Sequence, residues 1–515
     1  METDSLSLDR RLRHATLMAR ERVYRFGKAT PLERLELPGD GPEIWVKRED
    51  LSPVKAYKWR GAANRMAMLG PGEAARGVVT ASAGNHAQGV ALAARQLGIT
   101  ARIYMPTPTP RVKQTAVMRH GGGFVEIRLT GDSYDEAVHA ARADVAESGA
   151  VYVHAYDDLD VMAGQATLAD EVVLSGEGPF DVVCLQIGGG GMAAGVANWL
   201  RLHWPDIEVV GVEAEGQAAM KAALDAGERV ALEQVDLFCD GTAVRQIGEL
   251  PYEILTDVID RVEVVDNAAV GRAIRTLWET HRCIAEPSGA LGLAAVLQNP
   301  ERYAGKRVLT VLCGANVDFL QLGIIAQSLD AGGRNSRSLR VRIPERAGTM
   351  LRLLDEAFAG ANIADFQYGK SDADTAWPAF TITSDDPAVL DAVPSRLDGG
   401  GYEWEDLTGA EDIRFRAIPL RGDLLSNPLF LRLDFYERPG ALHDFLTARL
   451  NGNASLCYFN YRQSGERVGR ALIGIEFPSP YERDAFLLAL PPYGEGYRLC
   501  EPLEARTAGR MAGLE

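Results

Sequence analysis

"GVVTASAGNHAQGVALAARQLG" (77–98) decides the fold. Its first residues form a short apolar run with Val and Thr, the signature of a buried strand. Its second half repeats Ala, Val and Leu at helical spacing. The join is a turn of small residues, Ser82-Ala83-Gly84, with Asn85 and His86 opening the helix. The same alternation recurs on both sides. "ARIYMP" (101–106) precedes "RVKQTAVMRH" (111–120), and "FVEIRL" (124–129) precedes "SYDEAVHAARADVAES" (133–148). "VYVHA" (151–155) leads to "VMAGQATLADEVV" (161–173), and "DVVCLQIG" (181–188) leads to "GMAAGVANWLRLH" (191–203). "IEVVGVEA" (207–214) and "RVLTVLCGA" (307–315) follow. Continuous Val/Ile/Leu runs separated by amphipathic helices predict an α/β fold, a parallel sheet covered by helices on both faces. Sites in such folds lie at the C-terminal ends of strands.

The chain has 515 residues, too many for one core, so two or three domains are expected. The α/β pattern stops near residue 328, and "LDAGGRNSRS" (329–338) reads as a linker. Beyond it, "SLRVRIPERAGTMLRLLDEAF" (338–358) reads strand, turn, helix, and "NIADFQYG" (362–369) reads strand. The order returns in "FLRLDFYERPGALHDFLTARL" (430–450) and the segment after it. Leu339, Arg340, Glu345, Arg346 and Gly348 match Leu431, Arg432, Glu437, Arg438 and Gly440 at a constant offset of 92. We read this as a duplicated α+β module, at 339–416 and 427–508, after a first domain at 1–328. Tyr368 and Tyr461 fall at matching positions and read as core packing.

A net charge of −17 without a basic stripe speaks against nucleic acid and anionic membrane as partners. Six scattered cysteines without a CxxC pair read as reduced thiols in a cytoplasmic protein, and no metal site is expected. No apolar stretch is long enough to span a membrane. The Arg-rich start carries Glu2, Asp4 and Asp9, so it reads as a first helix rather than a transit peptide.

Three strand ends carry chemistry, and we place them on one sheet around one crevice. "QIGGGGMAAG" (186–195) follows a strand and opens a helix, so the amides of Gly188, Gly189, Gly190, Gly191 and Met192 can cradle a phosphate. No Lys-Ser/Thr follows, which excludes a nucleotide P-loop, although a plain structural turn fits equally well. At 80–91, the amides of Ser82, Ala83 and Gly84 are open to an anion and Asn85 can donate through its side chain. A simple helix cap is the competing reading of Asn85, and packing is preferred to acid–base chemistry for His86. Cys313, in "TVLCGANVDF" (310–319), is a weakly polar group at a strand tip that can meet a ring nitrogen or simply be buried. A phosphate, an anion and a ring nitrogen together describe pyridoxal phosphate, which also needs an amine. "KAYKWRGA" (55–62) offers two lysines.

The chain resembles the fold-type-II pyridoxal-phosphate enzymes, and among them the biosynthetic threonine dehydratases. "VKREDLSPVKAYKWRGA" (46–62), "ASAGNHAQGVA" (81–91), "GGGGM" (188–192), "EPSGALGLA" (286–294) and "LCGANVDF" (312–319) resemble the family's signature segments in order. By that register Lys58 matches the lysine that carries the cofactor's aldehyde, whereas Lys55 sits at a variable position and Lys47 in the preceding strand. The resemblance implies that Asn85, Gly188–Gly191, Met192 and Cys313 bind the cofactor. It also implies that Ser82, Ala83, Gly84, His86 and Glu286 lie on the substrate side. Ala56-Tyr57 stands where Ser-Phe is common, Cys313 where many relatives have Ser, and Ala166 where Gly is common. The implied activity is deamination of L-threonine to 2-oxobutanoate and ammonia, with L-serine as an alternative substrate. The duplicated tail resembles ACT-like regulatory modules, which implies isoleucine as inhibitor, valine as a second effector and a homotetramer. A racemase on the same scaffold and a non-catalytic amino-acid sensor are the rival readings.

Overall fold

The computed structural model describes the chain apart from residues 1–5, 38–40, 320, 324, 327–335, 345, 347–348, 368–373, 385, 411–424, 437–453, 463–467, 491–496 and 513–515. It divides into two compact units, 1–318 and 319–515.

The first unit holds two sheets, not one. Val125–Leu129, Ala101–Met105, Val78–Ala81 and Val151–Tyr152 form a four-stranded parallel sheet in that order. The second sheet has six strands, ordered Leu32–Arg34, Glu43–Arg48, Arg307–Leu312, Val182–Gln186, Glu208–Ala214 and Arg261–Val265. All its pairings are parallel except the first, which is antiparallel. The expected strands are therefore present, but the three chemistry-bearing ends are distributed over both sheets. The Ser82 turn follows a strand of the smaller sheet, while the glycine turn and Cys313 follow strands of the larger. Period and composition identify parallel strands without saying which strands share a ladder, and that is why the single sheet was expected.

Helices Leu8–Val23, Trp59–Ala67, Asn85–Leu97, Leu159–Leu174 and Gly191–His203 share one continuous core with the apolar faces of both sheets. The N-terminal segment is thus helical from Leu8, as its charges suggested. The glycines of "HGGGF" end the helix Arg111–Gly121 and make a short 3-10 turn before the strand at Val125.

The second unit contains two four-stranded antiparallel sheets. The first orders its strands Asn362–Gln367, Ala379–Thr383, Ser336–Val341 and Trp404–Asp406. The second orders Ser455–Arg462, Val468–Glu476, Leu429–Tyr436 and Tyr497–Pro502. Numbered within each module, both orders are second, third, first, fourth. The duplicated sequence pattern therefore corresponds to a duplicated topology, each sheet with its own apolar core. The strand at Ser336 begins inside the stretch read as linker, whose residues 329–335 lie outside the described residues. Tyr368 also lies outside them. No helix among the described residues is long and apolar enough to cross a membrane.

Candidate active site

Lys58 ends the loop before helix Trp59–Ala67. This loop is stitched to the strand end at Cys313: Tyr57 N–H donates to Cys313 O at 3.1 Å, and Ala315 N–H donates to Lys55 O at 2.9 Å. Main-chain bonds thus bring Lys58 and Cys313, distant in sequence, together. The two competing lysines are placed elsewhere. Lys55 is exposed, and Lys47 is buried and paired with Glu171.

The Lys58 ammonium donates to Ala155 O at 2.9 Å and lies 5.2 Å from the Tyr57 ring centre and 6.0 Å from that of Tyr156. Burial pushes its pKa down to about 8, against the opposing pull of nearby negative charge at Glu286. No carboxylate contacts the amine among the described residues, so the loss of its water is only partly offset by the Ala155 carbonyl.

Tyr156 connects this amine to the glycine turn. A methyl group on Gly189 would lie 2.3 Å from the Tyr156 ring, and one on Gly191 would lie 2.5 Å from Tyr156 O. Gly190 has φ +86°, a conformation that side-chain-bearing residues rarely adopt. The turn opens helix Gly191–His203, and the amides of Gly188, Gly189, Gly190, Gly191 and Met192 serve no acceptor among the described residues. Five consecutive unspent N–H groups at a helix N-terminus can receive a compact anion.

The 153–158 loop between amine and glycines is held from several sides. His154 Nδ1 accepts from the N–H groups of Tyr156 and Asp157, Asp157 caps helix Glu249–Val258, and Asp158 caps helix Leu159–Leu174. Gly248 N–H donates to Gly189 O at 3.2 Å, fixing the turn against the same region.

Asn85 is the first residue of its helix but does not cap it. Its Nδ2 donates to Glu286 Oε1 at 2.7 Å, and its Oδ1 accepts from Asn316 Nδ2 at 2.7 Å. Glu286 is 3% exposed, and burial pushes its carboxyl up to about 7, assisted by the charge of Asp240. Cys313 is buried, its thiol pushed far above the ordinary range by desolvation, so it remains a neutral S–H within 3.7 Å of Ser288 O. Ser82 Oγ accepts from Gly84 N–H and Ser82 N–H donates to Tyr104 O at 3.1 Å, so of the three amides expected to be open to an anion only that of Ala83 has no acceptor among the described residues. His86 is buried, with Nε2 3.1 Å from Val153 O, and desolvation pushes its pKa down to about 3. A ring that stays neutral and lies against a main-chain carbonyl is placed for packing rather than for proton transfer.

Several participants were not singled out from sequence. Ala155 and Tyr156 were missed although "VYVHA" read as a strand, whose C-terminal end was the place to look. Asn316, only three residues past Cys313, was passed over. A buried ion cluster also escaped notice. Arg60 pairs with both Glu49 and Glu171, and Lys47 pairs with Glu171, beneath the helix that Lys58 begins.

Comparison with known proteins bears on the whole chain. Residues 23–314 match the family described as pyridoxal-phosphate dependent enzyme, and residues 424–500 match the C-terminal regulatory domain of threonine dehydratase. A biosynthetic L-threonine dehydratase of Burkholderia multivorans is 37% identical over 92% of this chain and 95% of its own. That of Escherichia coli is 38% identical over 88% and 89%. The solved structure of the processed form of threonine deaminase isoform 2 from Solanum lycopersicum is 36% identical, with a TM-score of 0.59 over 61% of this chain and 87% of that one. On this evidence the chain belongs to the threonine dehydratase family, pyridoxal-phosphate-dependent enzymes with a C-terminal regulatory domain.

Proposed function

We propose that this chain deaminates L-threonine to 2-oxobutanoate and ammonia, with pyridoxal phosphate held by Lys58, Asn85, the turn Gly188–Met192 and Cys313. The observation that carries the assignment is a dehydrated lysine amine linked through Ala155 and Tyr156 to five unspent amides. These groups fit the cofactor. An amine with pKa about 8 is partly neutral near neutral pH and can join an aldehyde. The amide turn and helix dipole suit a phosphate. A neutral thiol can meet a pyridine nitrogen without transferring a proton to it. When bound, the cofactor supplies an electron sink for the bond being broken at the substrate's α-carbon.

The chain's own groups supply the rest. Lys58 Nζ, once free, takes the α-proton, and its lowered pKa keeps it unprotonated often enough to do so. The main-chain amide of Ala83, left over when Ser82 N–H bonds Tyr104 O and Gly84 N–H bonds Ser82 Oγ, is offered to the substrate carboxylate, and Glu286 borders the substrate side. Lys58 and Tyr57 are half-buried, so bound cofactor and substrate would complete the exclusion of water while charge develops. Ala56 offers no hydroxyl near the substrate, so threonine and serine are distinguished by shape around the β-carbon.

The second unit is proposed to bind isoleucine as inhibitor and valine as opposing effector, in a cytoplasmic homotetramer. Regulation requires that isoleucine bind one state of the enzyme more tightly than the other. The test is 2-oxoacid formation, 2-oxobutanoate from threonine and pyruvate from serine, with and without isoleucine. Turnover of threonine that isoleucine suppresses supports the proposal. Racemisation without ketoacid favours the racemase reading, and isoleucine binding without any turnover favours the sensor.

A further inference from the structure

We propose that Asn316 is a positioning residue that sets the polarity of Asn85, and that it takes its own polarity from a main-chain carbonyl in the lysine loop. The inference rests on the cofactor site proposed above and adds a residue to it.

An asparagine carboxamide has a donor end and an acceptor end of nearly equal size, so its neighbours decide which way it faces. Asn316 Nδ2 lies 2.8 Å from Val54 O and 2.7 Å from Asn85 Oδ1. Val54 O is a carbonyl and can only accept. Asn316 must therefore turn its NH2 toward it, and the same NH2 then requires an acceptor from Asn85. With Oδ1 engaged, Asn85 turns its own NH2 the other way, where one hydrogen goes to Glu286 Oε1 at 2.7 Å. Its second hydrogen has no acceptor among the described residues. That unspent donor is what Asn85 offers to the cofactor.

Glu286 closes the ring. Its Oε2 accepts from the Asn316 main-chain N–H at 3.0 Å, so both its oxygens are occupied by the two asparagines. The relay thus joins the lysine loop, the turn at Asn85, the segment at Glu286 and the strand end at Cys313 through three side chains. Reversal of any member leaves two carbonyl oxygens or two NH2 groups facing each other, so the arrangement holds as a unit.

Asn316→Asp tests the relay. The carboxylate keeps the shape but presents oxygen to both Val54 O and Asn85 Oδ1, so Asn85 should turn its acceptor end toward the cofactor. The apoenzyme of wild type, Asn316→Asp, Asn85→Ala and the double variant is titrated with pyridoxal phosphate. Cofactor affinity and the absorbance maximum of the bound form are read. We expect Asn316→Asp to lose about tenfold in affinity and to shift the maximum. On the Asn85→Ala background the same change should cost almost nothing further. Equal losses on both backgrounds, or no loss on either, would overturn the relay. Asn316→Ala repeats the cycle if the Asp variant does not fold. Failure of the underlying site is distinguishable, because wild type and Lys58→Ala would then bind the cofactor alike.

Discussion

An ammonium group gives up its proton more readily when its water is removed, and the half-buried Lys58 is placed where much of that has happened. Neighbouring residues are constrained for reasons of space. Gly189 accommodates the Tyr156 ring, and Gly190 adopts a left-handed conformation. Gly190→Ala should cost about 1–2 kcal/mol in urea unfolding of the apoenzyme, with weaker phosphate binding beside it. Unchanged stability would show that the turn relaxes without strain. Glu286 makes a pH prediction. Its folded pKa is about 7 against an ordinary 4.5, so between those values the folded state keeps a proton that the unfolded chain releases. Stability from this group is therefore present at low pH and is lost as pH rises through the window. Relative to Glu286→Gln, the wild-type apoenzyme should be less stable at about pH 8 than at about pH 5. A pH-independent difference in urea midpoints between the two proteins would refute the shift.

Among the elements, helix Trp59–Ala67 orients the amine, and the buried cluster of Arg60, Glu49, Glu171 and Lys47 fixes that helix. Two cations and two anions balance, so removing one leaves an unpaired buried charge. Arg60→Met should cost about 3–5 kcal/mol in denaturant unfolding, whereas a surface-pair change such as Arg275→Ala should cost under about 1 kcal/mol. Comparable losses from the two variants would contradict the role given to the cluster. The elements also show what could be read in advance. The strand–turn–helix units, the glycine turn, Asn85 and Cys313 are legible because each is a local pattern within a dozen residues. The cluster is not, because Arg60 and Glu171 stand 111 residues apart and each alone resembles a surface charge. Asn316 was missed for the same reason. Its partners Val54, Asn85 and Glu286 come from three distant segments that meet only when the two sheets close on each other.

For the whole molecule, the duplicated strand order of the second unit was foreshadowed by five identities in register, whereas the split of the first unit into two sheets was not. Period 2 and period 3.6 reveal elements, and ladder partnership is a tertiary property. Pyridoxal phosphate at one hundred times its dissociation constant should stabilise the first unit by about 2.7 kcal/mol, seen as a calorimetric shift of its transition. Isoleucine, the proposed effector, should shift the transition of the second unit more than that of the first, the smaller shift reporting the coupling that inhibition requires. A larger shift of the first unit's transition with isoleucine would count against an effector site in the second.

The most direct measurement is chemical. Borohydride reduction of the cofactor-loaded enzyme converts a reversible link between an amine and an aldehyde into a stable bond, and peptide mass analysis then locates it. A pyridoxyl label confined to Lys58 is the predicted result. A label on Lys55 or Lys47, or an unlabelled chain, would contradict it.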